Sequence, residues 1–347
     1  NFFSMLKLRA SIGNPGNQNF GSYKTITTYK FNNWLLNDFG TGLLVDAFGD
    51  PDLEWQKTID KNIGFDVSMF NNRFHVNFDY YYKVTDPLMA SIGIPLSVGV
   101  SQRLANVGKQ VSKGYNGTIK YAFIYRPKER INWTTSFTFR HGHSYYDKIG
   151  KNLDQYNKEN RSNSLARYYD GGSPSDLWSV RSLGIDPATG KELFLTEKGR
   201  ITFTYDYADE VVVGNSEPDL EGVLGNSFYY KGFSCNFYWR YSFGADAFNR
   251  TVYSKVENIS KESLKQNQDK RALYDRSRFV QKNNYLILES VRVAYEFSPE
   301  WMQKIHFSGM TVSAYMNDIC RFSTIEDERG IDYPFARSFS FALSINF

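Results

Sequence analysis

Ten stretches of this chain alternate apolar and polar residues for about ten positions or more, a pattern of period two that suits a β-strand with one apolar and one polar face. Residues 131–140, INWTTSFTFR, set Ile131, Trp133, Phe137 and Phe139 against Asn132, Thr134, Ser136, Thr138 and Arg140. Residues 73–84 set Phe74, Val76, Phe78, Tyr80, Tyr82 and Val84 against His75, Asn77, Asp79, Tyr81 and Lys83. The same reading puts Tyr115, Ile119, Tyr121, Phe123 and Tyr125 on one face, and Phe233, Cys235, Phe237, Trp239, Tyr241 and Phe243 on another. The pattern predicts strands at about residues 2–13, 58–70, 73–84, 112–126, 130–146, 221–231, 232–246, 284–297, 304–317 and 336–347.

Strand length and connection length then narrow the fold. Strands of roughly 10 residues or more match a tilted bilayer crossing rather than the 5–6 usual in a globular sheet. Tight connections (NNR, RPKER, YKG, FSPEWMQK) alternate with long ones at about 14–57, 85–111, 147–220, 247–283 and 318–335. Outer-membrane barrels have this order, with short turns in the periplasm and long loops outside. A soluble sandwich or propeller also alternates, but its strands are shorter and less aromatic, and no blade-like repeat of about 40–50 residues is present. The expected fold is all-β: a transmembrane antiparallel β-barrel.

Composition agrees. Phe, Tyr and Trp make up 17% of the 347 residues, mean hydropathy is −0.49, and no run nears the ~18 apolar residues of a membrane helix. The net charge of +4 is scattered, so nucleic acid is not an expected partner. Cys235 and Cys320 are far apart and suggest neither a disulfide framework nor a zinc site. The chain opens inside an apparent strand, so it is expected to be part of a longer protein.

No nucleophile elbow, phosphate loop or metal-helix motif is present, so no enzyme activity and no cofactor are expected. His141 and His143 share a face, a metal-like spacing, but two ligands rarely suffice. Glu326, Asp327, Glu328 and Asp332 form a charge run in a long loop, either a calcium site or a solvated, lipopolysaccharide-facing segment. Lys7, Arg9, Lys120, Arg140, Arg240 and Arg292 fall on the polar phase and are expected to face the lumen, where they either guide an anionic solute or simply solvate the wall or pair with carboxylates of a plug inside it. Trp34, Tyr168, Tyr169 and Trp178 lie in long loops, where aromatics either stack on a bound solute or pack within the loop or against a covering partner. Trp133, Trp239, Tyr241 and Tyr295 are assigned to lipid and the aromatic girdles. In the terminal strand Phe339, Phe341, Leu343, Ile345 and Phe347 are expected to face lipid and to carry the C-terminal signal read by the barrel assembly machinery.

Several stretches resemble the SusC-like TonB-dependent outer-membrane transporters of Bacteroidetes. They are LKLRASIGNPGNQNFGSY, TIDKNIGFDVSMFNNRFHVNFDYYYKVTDPLM, ANVGKQVSKGY, GIDPATGKELF, VVVGNSEPDLEGVLGNSFYYKGFS and YLILESVRVAYEF, in the family's order. Departures include Gly114-Tyr115-Asn116 in place of Gly-Val-Glu, and residues 148–178 match nothing quotable. The resemblance implies that 1–347 is the C-terminal part of a barrel of about 22 strands, with a plug and early strands outside this chain. It implies a SusD-like surface lipoprotein as partner, contact with outer-membrane lipid and lipopolysaccharide, and coupling to TonB-ExbB-ExbD through the plug. The function implied is active import of oligosaccharides or peptides. The alternatives are a non-transporting scaffold for outer-membrane assembly or export, and a passive porin.

Overall fold

The computed structural model describes residues 2–17, 24–38, 40–94, 97, 99–161, 164–253, 277–304, 306–325 and 337–346. Ten long strands form its main sheet: β1 (Phe3–Gly13), β2 (Gln56–Met69), β3 (Phe74–Asp86), β4 (Lys109–Arg126), β5 (Ile131–Asp147), β6 (Leu220–Tyr230), β7 (Phe233–Phe243), β8 (Tyr285–Glu296), β9 (Gly309–Ser323) and β10 (Phe339–Asn346). Each pairs antiparallel with its neighbour in chain order, so the sheet runs from β1 to β10 as a meander. A two-residue strand, Gly16–Asn17, extends the β1 edge against β2. Among the described residues no helix is long and apolar enough to cross a membrane.

Register carries the alternation across the whole sheet. Leu8, Phe65, Phe78, Gly117, Phe139, Gly222 and Tyr241 are successive partners on one face. One residue along, Lys7, Asp66, Asn77, Thr118, Thr138, Val223 and Arg240 are successive partners on the other. The apolar face is the exposed one: Leu8 is 79% exposed and Phe341 80%, whereas Ser68 and Ser242 on the polar face are 2% and 3% exposed. A sheet that shields serines and offers leucines outward is inverted relative to a water-soluble protein and suits lipid outside and water within.

Bulges adjust this phase. Trp133 pairs with Ile124 while Thr134 pairs with Ala122, so β4 carries one extra residue there. Tyr125 therefore sits opposite Asn132 on the polar phase, not on the apolar face that simple counting predicts. A second irregularity lies between Leu288 and Ser290, opposite Cys320 and Asn317. It lets β9 run to Ser323, six residues beyond its predicted end at 317, and takes in Cys320 as a strand residue.

The tight connections gather at one end of the sheet with the C-terminal end of β10. FNNR turns at Phe70–Asn72 with three consecutive positive φ values, PKE forms a 3-10 turn, and Lys231-Gly232 joins β6 to β7. The fourth, read as a simple turn, contains a short helix, Pro299–Lys304. The long connections at the other end are folded. Residues 28–37 and 40–47 form one hairpin, and 89–93 and 102–106 another. The longest connection holds a helix, Asp154–Glu159, and a sheet in which Asp176–Ile185 lies between Glu192–Leu195 and Glu210–Asn215. Phe347 and the Glu326–Glu328 and Asp332 charge run lie outside the described residues.

A cation in the middle of the apolar face costs about 2–4 kcal/mol. Ile119→Arg is therefore expected to cut the folded form severalfold in a heat-modifiability gel of outer-membrane fractions. Thr118→Arg, on the opposite face, is expected to fold near the wild-type level; equal loss for both would contradict the assigned faces.

Candidate functional site

Two surfaces have the chemistry to handle a solute: the polar face of the wall and the loop assembly above it. On the wall, strand pairing brings opposite charges side by side. Arg9 lies 3.0 Å from Asp66 and 2.9 Å from Asp79, and Asn77 donates to Asp66 from the next strand. Arg140 meets Glu221 at 3.4 Å, Lys83 meets Asp60 at 3.1 Å, and Arg240 pairs with Glu289. Hydroxyl pairs fill other positions: Thr58 with Thr85, Ser112 with Ser144, and Thr118 with Thr138.

All six cations assigned to the polar phase share this face by register. Arg9, Arg140 and Arg240 are held by wall carboxylates. Lys7, Lys120 and Arg292 are exposed and make no ion pair among the described residues. Tyr81 lies across this face with its hydroxyl over Gly114 and Gly142 on β4 and β5. A methyl group at either glycine would come within 2.7 Å of that hydroxyl, so the ring needs both positions bare.

The loop assembly is built on a buried cluster of Ala105, Val107, Tyr146, Ile149 and Leu153, which joins the 89–106 hairpin to the long connection after β5. Tyr168 packs on Tyr146 and Tyr156 with ring centroids 5.3 and 5.5 Å apart. Tyr146, Ile149, Leu153, Tyr156 and Tyr168 line a cavity of ≈ 320 Å³ with Leu88, Met89 and Val107. Burial pushes the Tyr168 hydroxyl above its ordinary range, with the neighbouring Tyr156 adding to the effect. Two clamps hold the chain here: Asn157 exchanges two 2.9 Å hydrogen bonds with the Tyr168 backbone, and Asp170 accepts from the Ile149 and Gly150 amides.

The centre of the assembly is Arg167, 1% exposed. Its guanidinium forks onto Glu210 at 3.1 and 2.8 Å and donates to the Ser164 and Ala166 carbonyls. Arg161 adds a second cation 3.6 Å from Glu210. Paired forks with every proton placed are how a buried guanidinium is tolerated. Sequence reading missed this pair; the signal was a lone arginine between Leu165-Ala166 and Tyr168-Tyr169 in a segment otherwise read as loop. In the sheet beyond it, Asp186 caps a turn by accepting from the Thr189 hydroxyl and the Ala188 amide, which holds its carboxyl below the usual range.

The four loop aromatics therefore divide. Tyr168 belongs to the buried cluster, and Tyr169 packs on Trp178 with centroids 5.0 Å apart. Trp34, on the 28–47 hairpin, is 94% exposed and separate from them. Among the described residues no group of three or more His, Cys, Asp or Glu side chains could hold a metal; His141 instead engages the Asp219 carbonyl at 2.7 Å.

No family model matches the sequence. The chain is 26% identical to TonB-dependent receptor P39 of Formosa agariphila over 94% of its own length and 37% of that protein. It is 25% identical to TonB-dependent receptor SusC of Bacteroides thetaiotaomicron over 100% of itself and 38% of that protein. It thus spans little more than a third of either relative. Its fold superposes on the RagAB peptide importer in the closed-closed state with a TM-score of 0.79, at 20% identity, covering 100% of this chain and 41% of that one. The RagAB peptide transporter gives a TM-score of 0.78 at 21% identity, over 94% of this chain and 38% of that one.

Removing Arg167 leaves the Glu210 carboxylate buried with a single distant partner, a change that costs about 3–5 kcal/mol. Arg167→Ala is expected to open residues 148–219 to trypsin on intact cells while the wall keeps its heat-modifiable migration. Unchanged protease resistance would show that the pair does not hold the loop.

Proposed function

We propose that this chain, a SusC-like β-barrel wall of the bacterial outer membrane, serves in the active import of oligomeric nutrients, peptides or oligosaccharides. The observation that carries the reading is the inverted sheet: an apolar face exposed across ten strands and a polar, internally paired face behind it. Short turns lie on the periplasmic side of such barrels, which puts the folded connections on the outer side, where cargo arrives. The import role is supported by the similarity to TonB-dependent receptors over nearly the whole chain. On this reading a SusD-like lipoprotein closes over the loop assembly, and energy reaches the site from TonB through a plug.

The roles divide by chemistry. Trp34 presents an exposed ring to a peptide side chain or sugar face, or to the lid. Lys7, Lys120 and Arg292 are the polar-face cations left to meet a solute. Arg9, Arg140 and Arg240 solvate and stiffen the wall.

A strain deleted for the full-length receptor gene should lose growth on one class of oligomer as sole nutrient, with growth on its monomers kept. A pulldown of the native receptor should recover a surface lipoprotein. Recovery with assembly factors and unimpaired growth on every oligomer would instead support the scaffold reading. Stacking of one ring contributes about 0.5–1.5 kcal/mol, so Trp34→Ala should weaken cargo binding about two- to tenfold by calorimetry, with receptor abundance unchanged.

A further inference from the structure

The apolar face carries one basic row. Register places Lys61 opposite Tyr82, Tyr82 opposite Lys113, and Lys113 opposite His143, in that order across β2, β3, β4 and β5. Lys61, Lys113 and His143 are all exposed. The other cations on this face of the wall strands are satisfied: Lys57 by Glu54, Lys109 by Asp147 at 2.9 Å, and Arg126 by Glu129. Lys61 and Lys113 make no ion pair among the described residues, and Lys113 lies 6.0 Å over the Tyr145 ring.

Height on the wall gives the row its meaning. Counted from the tight-turn end, Lys61 stands eight residues from Met69, Lys113 thirteen from Arg126 and His143 twelve from Ile131, on either side of the ~9–11 that a tilted strand needs to cross the bilayer. Below it come Ile63, Tyr80 and Tyr115, then Phe65 and Phe78. The order from mid-strand outward is phenylalanine, tyrosine, cation, which is the order of hydrocarbon, interface and headgroup. Lysines at that depth extend their ammonium groups into the headgroup layer. The two lysine strands flank one strand between them, roughly 10 Å across, with the Tyr82 ring in the gap. No carboxylate shares the row by register, Glu217, Asp219 and Asp246 line a cavity with His143 at its β5 end, and the carboxylates two steps higher, Asp86 and Asp147, are registered with Lys57 and paired with Lys109.

We propose that Lys61, Lys113 and His143 form an outward-facing site for the phosphate headgroup of an anionic lipid in the outer leaflet, with Tyr82 packing against its upper acyl chain. The charge is complementary, its position is the headgroup layer, and its tails would lie on the apolar rows beneath. The inference rests on the outer-membrane reading of the sheet and is independent of what the receptor carries.

The test uses the full-length receptor in neutral detergent, titrated by native mass spectrometry. The probes are phosphatidic acid, a diacylglycerol with the same tails, and inorganic phosphate. A cation at the membrane surface contributes about 1 kcal/mol to anionic-lipid binding, so Lys61→Gln with Lys113→Gln should weaken phosphatidic acid binding about thirtyfold. Lys191→Gln, in an outer-loop turn, should leave it unchanged. Heat-modifiable migration of the double variant controls for folding, and a single Lys113→Gln serves if the double fails to assemble, with about a fivefold loss expected. Three results would overturn the proposal: unchanged affinity in the lysine variants, equal binding of diacylglycerol, or displacement of the lipid by millimolar inorganic phosphate. Loss of cargo uptake with lipid binding intact would count against the import reading alone.

Discussion

The interstrand hydrogen bond is the constraint on which the rest of this molecule depends. Hydrocarbon offers no partner for a peptide N–H or C=O, so every backbone group crossing it must be satisfied by a neighbouring strand. Ten antiparallel strands in sequential register meet that demand within the sheet and fix which residues share a face. Once pairing is fixed, side chains have two destinations, and a shift of one residue would turn lysines to lipid and leucines to water. The bulges at Trp133/Thr134 and Leu288/Ser290 are the two inner places where the count changes, and in both the pairing resumes with apolar residues outward.

Aromatic rings supply a second layer of organisation on that frame. Tyr241 reaches over Gly222 to donate to the Thr138 carbonyl at 2.8 Å, and its ring stacks on Phe137. Gly222 has no room for a side chain, since a methyl group there would meet that carbonyl at 1.9 Å. One tyrosine thus ties β7 to β5 across β6. At the tight-turn end Arg130, held at a positive φ of 56°, donates to both Tyr229 and Glu296 and links the turn after β4 to β8. Such ties resist shear between strands that have only their ladders in common, and they sit where the strands are long and the turns short.

The wall was legible in the sequence because period two is a local signal that survives without knowledge of partners. All ten strands were foreseen within a few residues, except the ends of β9, where Pro299–Lys304 forms a helix and a bulge carries the strand on to Ser323. Tyr125 was misplaced for a related reason: a bulge is set by the facing strand and leaves little trace in alternation. The loop assembly was not legible. Its strands are two to ten residues long, and even the longest, 28–37 and 176–185, lack a clean alternation of apolar and polar residues. Its stability comes from pairs distant in sequence, such as Arg167 with Glu210 and Asn215 with Asp176. Tyr168 and Trp178 look alike as loop aromatics in sequence, and only the fold shows both turned inward while Trp34 is not.

On the proposed import reading, the distribution of charge divides labour between conduction and selection. A cation held by one or two carboxylates of the same wall presents a short-range dipole to the lumen, and at physiological salt its field fades within about 8 Å. Arg9, Arg140 and Arg240 are of this kind, so half of the six polar-face cations are neutralised within the wall itself. Serine and threonine pairs between them keep the surface wet without holding a solute tightly. Such a surface favours passage over binding, because strong sites along a conduit would slow release. On that reading discrimination falls to surfaces with relief, and the described chain offers those in its folded connections, where the Arg167–Glu210 pair and the Asn157 clamp fix the assembly after β5 while Trp34 stands apart on the 28–47 hairpin. Under the import proposal the Arg167–Glu210 pair orders this loop before cargo arrives, so that its ordering is not subtracted from affinity.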